Sequence, residues 1–338
     1  MKNARVRQDS VDILKAGCAF LVVWIHCGFP GRVGAWVETL SSAAVPIFFM
    51  ITGFYSSENI SRDVRRRQIV KALTLLIEAN LIFLGWKLWY TAHVGKSVTN
   101  YLRTVLSAPR ILRFIVLNES PFSRHLWYLG AILYVLIIVA AAERMRCRRL
   151  LDALTPILLA GDLILGKYSV VLFHQKISYL FARNFLFVGI PYFCIGGMIQ
   201  RGLGRQLGRR RLMGIAVLSA GMMLLERAIL NRVGMNAARN HYISTTVLVL
   251  ALFLLALSYS GHAACGTARL AAAIGRKYST WLYILHPMIS SLITLQTKRL
   301  GCYPQYRYIA PMIVYAATLL CLMLIQTIGA RLVRRWRG

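Results

Sequence analysis

Acidic residues are scarce in this 338-residue chain, with 11 Asp and Glu set against 41 Lys and Arg. Charged residues of both signs together make up only 15% of the chain, whereas hydrophobic residues reach 57%. So little polar surface excludes an ordinary soluble domain. The seven cysteines (18, 27, 147, 194, 265, 302 and 321) are odd in number and form no C-x-x-C pair. That pattern argues against a zinc site and against a disulfide framework, so no metal is expected. A Cys27–Cys302 bridge on the outer face remains geometrically conceivable. No sequence period repeats, and no soluble domain is expected alongside the apolar runs. The basic excess comes without an aromatic-basic nucleic-acid motif and sits between apolar runs. It reads as topogenic charge, and no nucleic-acid partner is expected. A cleavable signal peptide is not expected either. Asp12 and Lys15 lie inside the start of the first apolar run, and Cys27-Gly-Phe-Pro follows it where a small-x-small site would be needed.

What the chain has in abundance is long apolar runs, among them Ile13–Trp24, Ile69–Leu84 and Tyr242–Leu257. About 20 mostly apolar residues cross the hydrocarbon as a helix. Backbone groups in lipid must bond internally, which makes each such run helical. The predicted fold class is therefore all-α, a polytopic transmembrane helix bundle of about ten spans forming a single integral-membrane domain over residues 1–338. The spans are expected near 11–28, 42–57, 70–90, 125–143, 150–166, 183–200, 212–230, 242–261, 279–296 and 308–330. Alternate connections are basic: Arg62, Arg65, Arg66, Arg67 and Lys71, then Arg144 to Arg149, Arg201 to Arg211, and Arg269 to Lys277. By the positive-inside rule these are cytoplasmic, as are both termini, in a multi-pass bacterial inner-membrane protein. Residues 150–166 include Asp162, and the mixed stretch after them, Lys167–Arg183, is expected to be interfacial or re-entrant. Residues 91–124 carry Lys96, Arg103, Arg110, Arg113 and Arg124 at amphipathic spacing, which predicts helix lying along the outer surface.

The first span holds three ionisable residues, and such residues in a membrane usually face a cavity or a partner. At 100° per residue Asp12, Lys15 and His26 share one face within about 60°, and His26 lies about 16 Å along the axis from Lys15. Two readings stay open on these residues alone. Asp12 and Lys15 could snorkel at the interface while His26 bonds across helices, or the three could line a polar path.

A resemblance supports the second reading. Asp12-Ile-Leu-Lys15 followed by Val22-Val-Trp-Ile-His26 is similar to the first-span signature of acyltransferase family 3, a basic residue, ten others, then His. Val45-Pro-Ile-Phe-Phe-Met-Ile-Thr-Gly-Phe-Tyr55 resembles its P-x-F-F-x-x-S/T-G-[FY] element, and Arg65-Arg66-Arg67 follows as in the family. His125-Leu-Trp-Tyr-Leu129 and the segment from Ile274 to Pro287, ending Tyr-Ile-Leu-His-Pro, resemble two further elements in the right order. Membrane parts of serine racemases linked to vancomycin resistance resemble the same arrangement. One departure is Lys15, where the family usually has Arg; Lys keeps the charge without the planar fork.

The resemblance implies transfer of an acyl group, commonly acetyl, from cytoplasmic acyl-CoA (acetyl-CoA) to a hydroxyl of a cell-surface sugar or lipid-linked glycan, in contact with membrane lipids. Lys15, Arg65, Arg66 and Arg67 would meet the donor's phosphates. His26 would be the general base, since an imidazole titrates near neutrality. Glu226 is the candidate to orient it. His286 joins the site with Ser279 and Tyr283 on neighbouring faces of its helix, or is a structural histidine. Glu78 lies mid-span without a motif, and His93, His174, His241 and His262 fall near span ends, where histidines are usually interfacial. The alternative is a small-solute transporter, for instance of amino acids. Transport folds often show inverted repeats, and none is found here.

Overall fold

The computed structural model describes residues 8–56, 60–237, 241–260 and 265–336, with side chains through Gly329; His262 lies outside the described residues. In chain order the α-helices are α1 (Asp9–Cys27), α2 (Gly31–Ser41), α3 (Ala44–Tyr55), α4 (Arg62–His93), α5 (Val98–Val105) and α6 (Ala108–Leu117). Then come α7 (Trp127–Arg144), α8 (Arg148–Leu165), α9 (Ser169–Phe173), α10 (Tyr179–Ala182), α11 (Ile190–Gln200) and α12 (Arg209–Arg232). The last are α13 (Ile243–Ser258), α14 (Gly266–Lys277), α15 (Ser279–Arg299), α16 (Tyr303–Tyr306) and α17 (Ala310–Trp336). No strand occurs among the described residues. The protein is an all-α membrane protein.

Each of the ten expected segments is helical over most of its length. Six stretches are both long and apolar enough to cross a bilayer: Asp9–Cys27, Gly31–Tyr55, Arg62–His93, Arg124–Arg144, Arg209–Arg232 and Ala310–Gly329. Phe185–Gln200 and Ile243–Ser258 are shorter apolar helices. The stretch 31–41, read from sequence as a connection, is instead α2, and with α3 it makes an almost continuous apolar stretch of 25 residues. Its polar side chains serve the helix: the Thr39 and Ser41 hydroxyls donate to the carbonyls four residues back, Ala35 at 2.9 Å and Val37 at 2.7 Å. The 91–124 stretch does hold helices, α5 capped by the Ser97 hydroxyl and α6 ended by Asn118 in the left-handed region at φ 60°. No residue of α6 is buried.

The chain clusters into two compact units, Met1–Ala44 with Leu255–Gly338, and Val45–Leu254. In the first, α1 runs against α14, with α15 and α17 also packed on it. The crossing is set by Gly275, where a Cβ would fall 1.8 Å from the Asp12 carbonyl oxygen and 2.9 Å from the Ala16 nitrogen. Small residues let helix backbones approach this closely. Val23, Tyr306, Ala310 and Val314 close an apolar cluster at the other end of α1. In the second unit, α4 packs on α7 and α8 on α11. There α3 and α11 meet through reciprocal glycines, with a Gly53 Cβ landing 1.9 Å from the Phe193 oxygen and a Gly196 Cβ 2.0 Å from the Met50 oxygen. Two of the signature glycines, Gly53 and Gly275, are thus helix-contact residues.

All seven cysteines are free thiols. The conceivable Cys27–Cys302 bridge is absent: Cys27 Sγ donates to the Val23 carbonyl at 3.1 Å, and Cys302 Sγ lies 3.7 Å from the Thr297 carbonyl.

Candidate functional site

Asp12, Lys15 and His26 of α1 lie in the first unit. Asp12 is buried, and its Oδ1 takes the Lys15 ammonium at 3.0 Å one turn on. Arg276 at the end of α14 reaches Asp9 at 3.5 Å and Asp12 at 3.8 Å. An acid in the first turn complements the helix dipole, and the pairing removes most of the penalty for placing charge near the apolar layer. Arg276 was not singled out from sequence, since it stands in a basic connection among many arginines.

Farther along α1 the exposed ring of His26 meets His286 of α15, with centroids 5.0 Å apart and planes at 48°. His286 is fully buried. Its Nδ1 lies 3.0 Å from the Leu282 carbonyl, and the Tyr283 carbonyl also faces the ring. The following residue, Pro287, has no N–H to bond the Tyr283 carbonyl four residues back, which leaves that carbonyl available to the ring. The Nδ1–H then donates to the backbone, which leaves a lone pair on Nε2. The His26 imidazole is therefore backed by a second imidazole whose Nδ1–H its own helix holds.

The other expected site residues lie in the second unit. Arg65 is buried and pairs in bidentate fashion with Glu143 of α7, Nη2 to Oε1 at 2.6 Å and Nε to Oε2 at 3.2 Å, with Nη1 on Gln68 at 3.2 Å. Its guanidinium joins α4 to α7, whereas Arg66 and Arg67 are exposed. Glu226 accepts a short hydrogen bond from the Tyr168 hydroxyl and another from the Ile243 backbone N–H at 3.1 Å. It so caps the start of α13, whose first N–H groups have no helical partner. The Tyr168 phenol, in the connection after α8, has its pKa raised by burial and by the Glu226 carboxylate.

His241, taken from sequence as interfacial, is instead buried, with Nδ1 2.6 Å from the Asp162 carboxylate. The reason is the company its connection keeps. Lys167 beside it is also buried, bonding the Asn236 side chain at 3.0 Å and the Ala237 carbonyl at 2.5 Å, with its ammonium 4.2 Å over the Tyr242 ring. Asp162 of α8 was the one sequence signal for this cluster. A second network passes unread in sequence: buried Arg148 reaches Cys194 Sγ at 3.1 Å and Asp152 at 3.3 Å, and Arg201 takes the other oxygen of Asp152 at 2.6 Å. Among the described residues no group of His, Cys, Asp and Glu could hold a metal.

The spacing of Lys15 and His26, the Asp12 carboxylate that Lys15 shares with Arg276, the contact of His26 with His286, and the glycine crossings lie within the stretch that the acyltransferase domain of acyltransferase family 3 matches, residues 8–330. The chain belongs to that family. Membership makes it a membrane acyltransferase in general kind. It is also similar to a serine/alanine racemase of Enterococcus gallinarum, 25% identical over 307 residues, which cover 83% of this chain and 41% of that protein. The chain thus spans less than half the length of that relative. No solved structure matches. In this acyltransferase the signature residues fall into two groups: those that hold helices together, such as Gly53, Gly275 and Arg65, and those that face one another with chemistry to offer, His26 and His286.

Proposed function

We propose that this acyltransferase moves an acyl group, acetyl in the simplest case, from cytoplasmic acyl-CoA to a hydroxyl of a cell-surface or lipid-linked sugar. It would do so as a multi-pass protein of the bacterial inner membrane with both termini cytoplasmic. The observation that carries the reading is the exposed His26 ring set 5.0 Å from a buried His286 whose tautomer its own helix holds. His26 takes the proton of the acceptor hydroxyl as that oxygen forms a bond to the thioester carbon. The tetrahedral adduct then collapses, the carbon–sulfur bond breaks, and the CoA thiolate leaves and regains a proton from the imidazolium. His286 packs against His26 and orients it, the role first given to Glu226, whose carboxylate serves Tyr168 and Ile243. The cations offered to the donor's phosphates are Lys15 in the first unit and Arg66 and Arg67 in the second, where Arg65 holds α4 to α7.

The test uses purified protein, acetyl-CoA and a panel of lipid-linked sugars, with free thiol as the readout. Acceptor-dependent thiol release is expected, and His26→Gln should cut kcat by about 10²–10⁴-fold with membrane insertion intact. More than about a tenth of wild-type turnover remaining in that variant would remove His26 as the base. Absence of thiol release with every acceptor, together with solute uptake into vesicles, would favour the transporter.

A further inference from the structure

On α15 the residues at intervals of four beyond His286 are Ser290, Thr294 and Lys298, a row that winds round the helix by about 40° per step, so Ser290 lies near the face of His286 and Lys298 about 120° from it. The span from His286 to Lys298 is about 18 Å along the axis. The hydroxyls of this helix divide into two sets. Ser291 and Thr297 turn theirs back to the carbonyls of Pro287 at 2.7 Å and Ile293 at 2.9 Å, the usual solution for a hydroxyl in an apolar helix. Ser290 instead meets the thiol of Cys27, the residue after His26, and Ser290 and Thr294 both lie beside the phenol of Tyr306.

Tyr306 is only 6% exposed, and its hydroxyl makes no hydrogen bond of good geometry to any described residue. A buried donor left in that state is costly, and native proteins rarely leave one without a purpose. Beyond it the exposed charged side chains are cationic. The Lys298 ammonium sits 5.2 Å from the Tyr303 ring, with Lys298, Arg299 and Arg307 all exposed.

We propose that Ser290, Thr294 and Tyr306, ending at Lys298 and Arg299, form the acceptor-binding track, and that it takes a polyhydroxylated glycan bearing a phosphate or carboxylate. This rests on the acyltransferase reading of the His26 and His286 pair. The sugar hydroxyls exchange hydrogen bonds with the Ser290 and Thr294 hydroxyls and accept from the Tyr306 phenol. The anionic group meets the Lys298 end, and one free hydroxyl is left at His26. The cationic end accounts for selection of charged glycans, and the hydroxyl run for their polyol part.

The experiment measures binding apart from turnover, by calorimetric titration of the full-length protein in detergent. The probes are a polyprenyl-diphosphate-linked N-acetylglucosamine, methyl glucuronide and neutral methyl glucoside. Tyr306→Phe and the Ser290→Ala/Thr294→Ala pair should each weaken all three probes about 3- to 10-fold, the loss that one or two ordinary hydrogen bonds imply. Lys298→Gln should weaken the two charged probes and leave the neutral one alone, and the better of the charged pair tells phosphate from carboxylate. Ser291→Ala, whose hydroxyl serves its own helix, should change nothing. Unchanged affinity in Tyr306→Phe and the double variant, at unchanged melting temperature, overturns the track, as does wild-type protein that binds none of the probes. Binding that follows this pattern without any thiol release would sink the acyltransferase reading while keeping the track.

Discussion

Replacing Gly275 by Ala tests the crossing that sets Arg276 against Asp12. The added methyl would sit 1.8 Å from the Asp12 carbonyl oxygen, where real contacts of this kind essentially never fall below 3.0 Å. Helix α14 must therefore retreat from α1 by at least 1.2 Å, against backbone that cannot rotate aside. The Arg276 contacts, already 3.5 Å to Asp9 and 3.8 Å to Asp12, would then pass beyond ion-pair range. Overpacking of this kind costs about 1–3 kcal/mol, and parting the ion pairs adds to it. The control is Gly17→Ala on the same helix, where a Cβ meets nothing within 4 Å. That change should be neutral or stabilising by up to about 1 kcal/mol from helix propensity. Thermal unfolding in detergent is the assay, with acetyl-CoA turnover alongside. Gly275→Ala should melt several degrees below wild type and lose activity, and Gly17→Ala should do neither. Equal melting points for the two variants would refute the account of Gly275 as a backbone contact.

Arg65→Gln leaves Glu143 without its bidentate partner, so it should lower thermal stability by a few kcal/mol. Arg66→Gln/Arg67→Gln should instead raise the donor KM tenfold or more with little change in melting, and an unchanged donor KM would return both residues to topogenic charge. His286→Gln keeps a donor for the Leu282 carbonyl, so kcat should fall less than in His26→Gln; an equal fall would make His286 a base in its own right. Asp162→Asn removes the charged acceptor of His241 and should destabilise by about 1–3 kcal/mol, read as a lower melting temperature with donor KM intact. Reporter fusions at Gly338 should label from the cytoplasm, and labelling only from outside would reverse the orientation.

Helicity and the membrane environment were legible before any coordinates, because both follow from local quantities. A run of apolar residues in lipid has to satisfy its own backbone, and only a helix does so within one segment. The face shared by Asp12, Lys15 and His26 follows from 100° per residue alone, and the ion pair of Asp12 with Lys15 joins the first two of the three. The segment 31–41 escaped because Glu38 and two glycines dilute its hydropathy while its helix continues. The partners were decided only by tertiary structure: His286 for His26, Glu143 for Arg65, Asp162 for His241, Arg276 for Asp12. Each joins residues far apart in sequence. In a soluble protein the apolar stripe of a helix announces which face turns inward. Here lipid and protein interior are equally apolar, so hydropathy does not say which faces meet. That choice belongs to shape, made where Gly53 meets the Phe193 carbonyl and Gly275 the Asp12 carbonyl. Only once those backbones touch does a buried arginine or histidine acquire its partner.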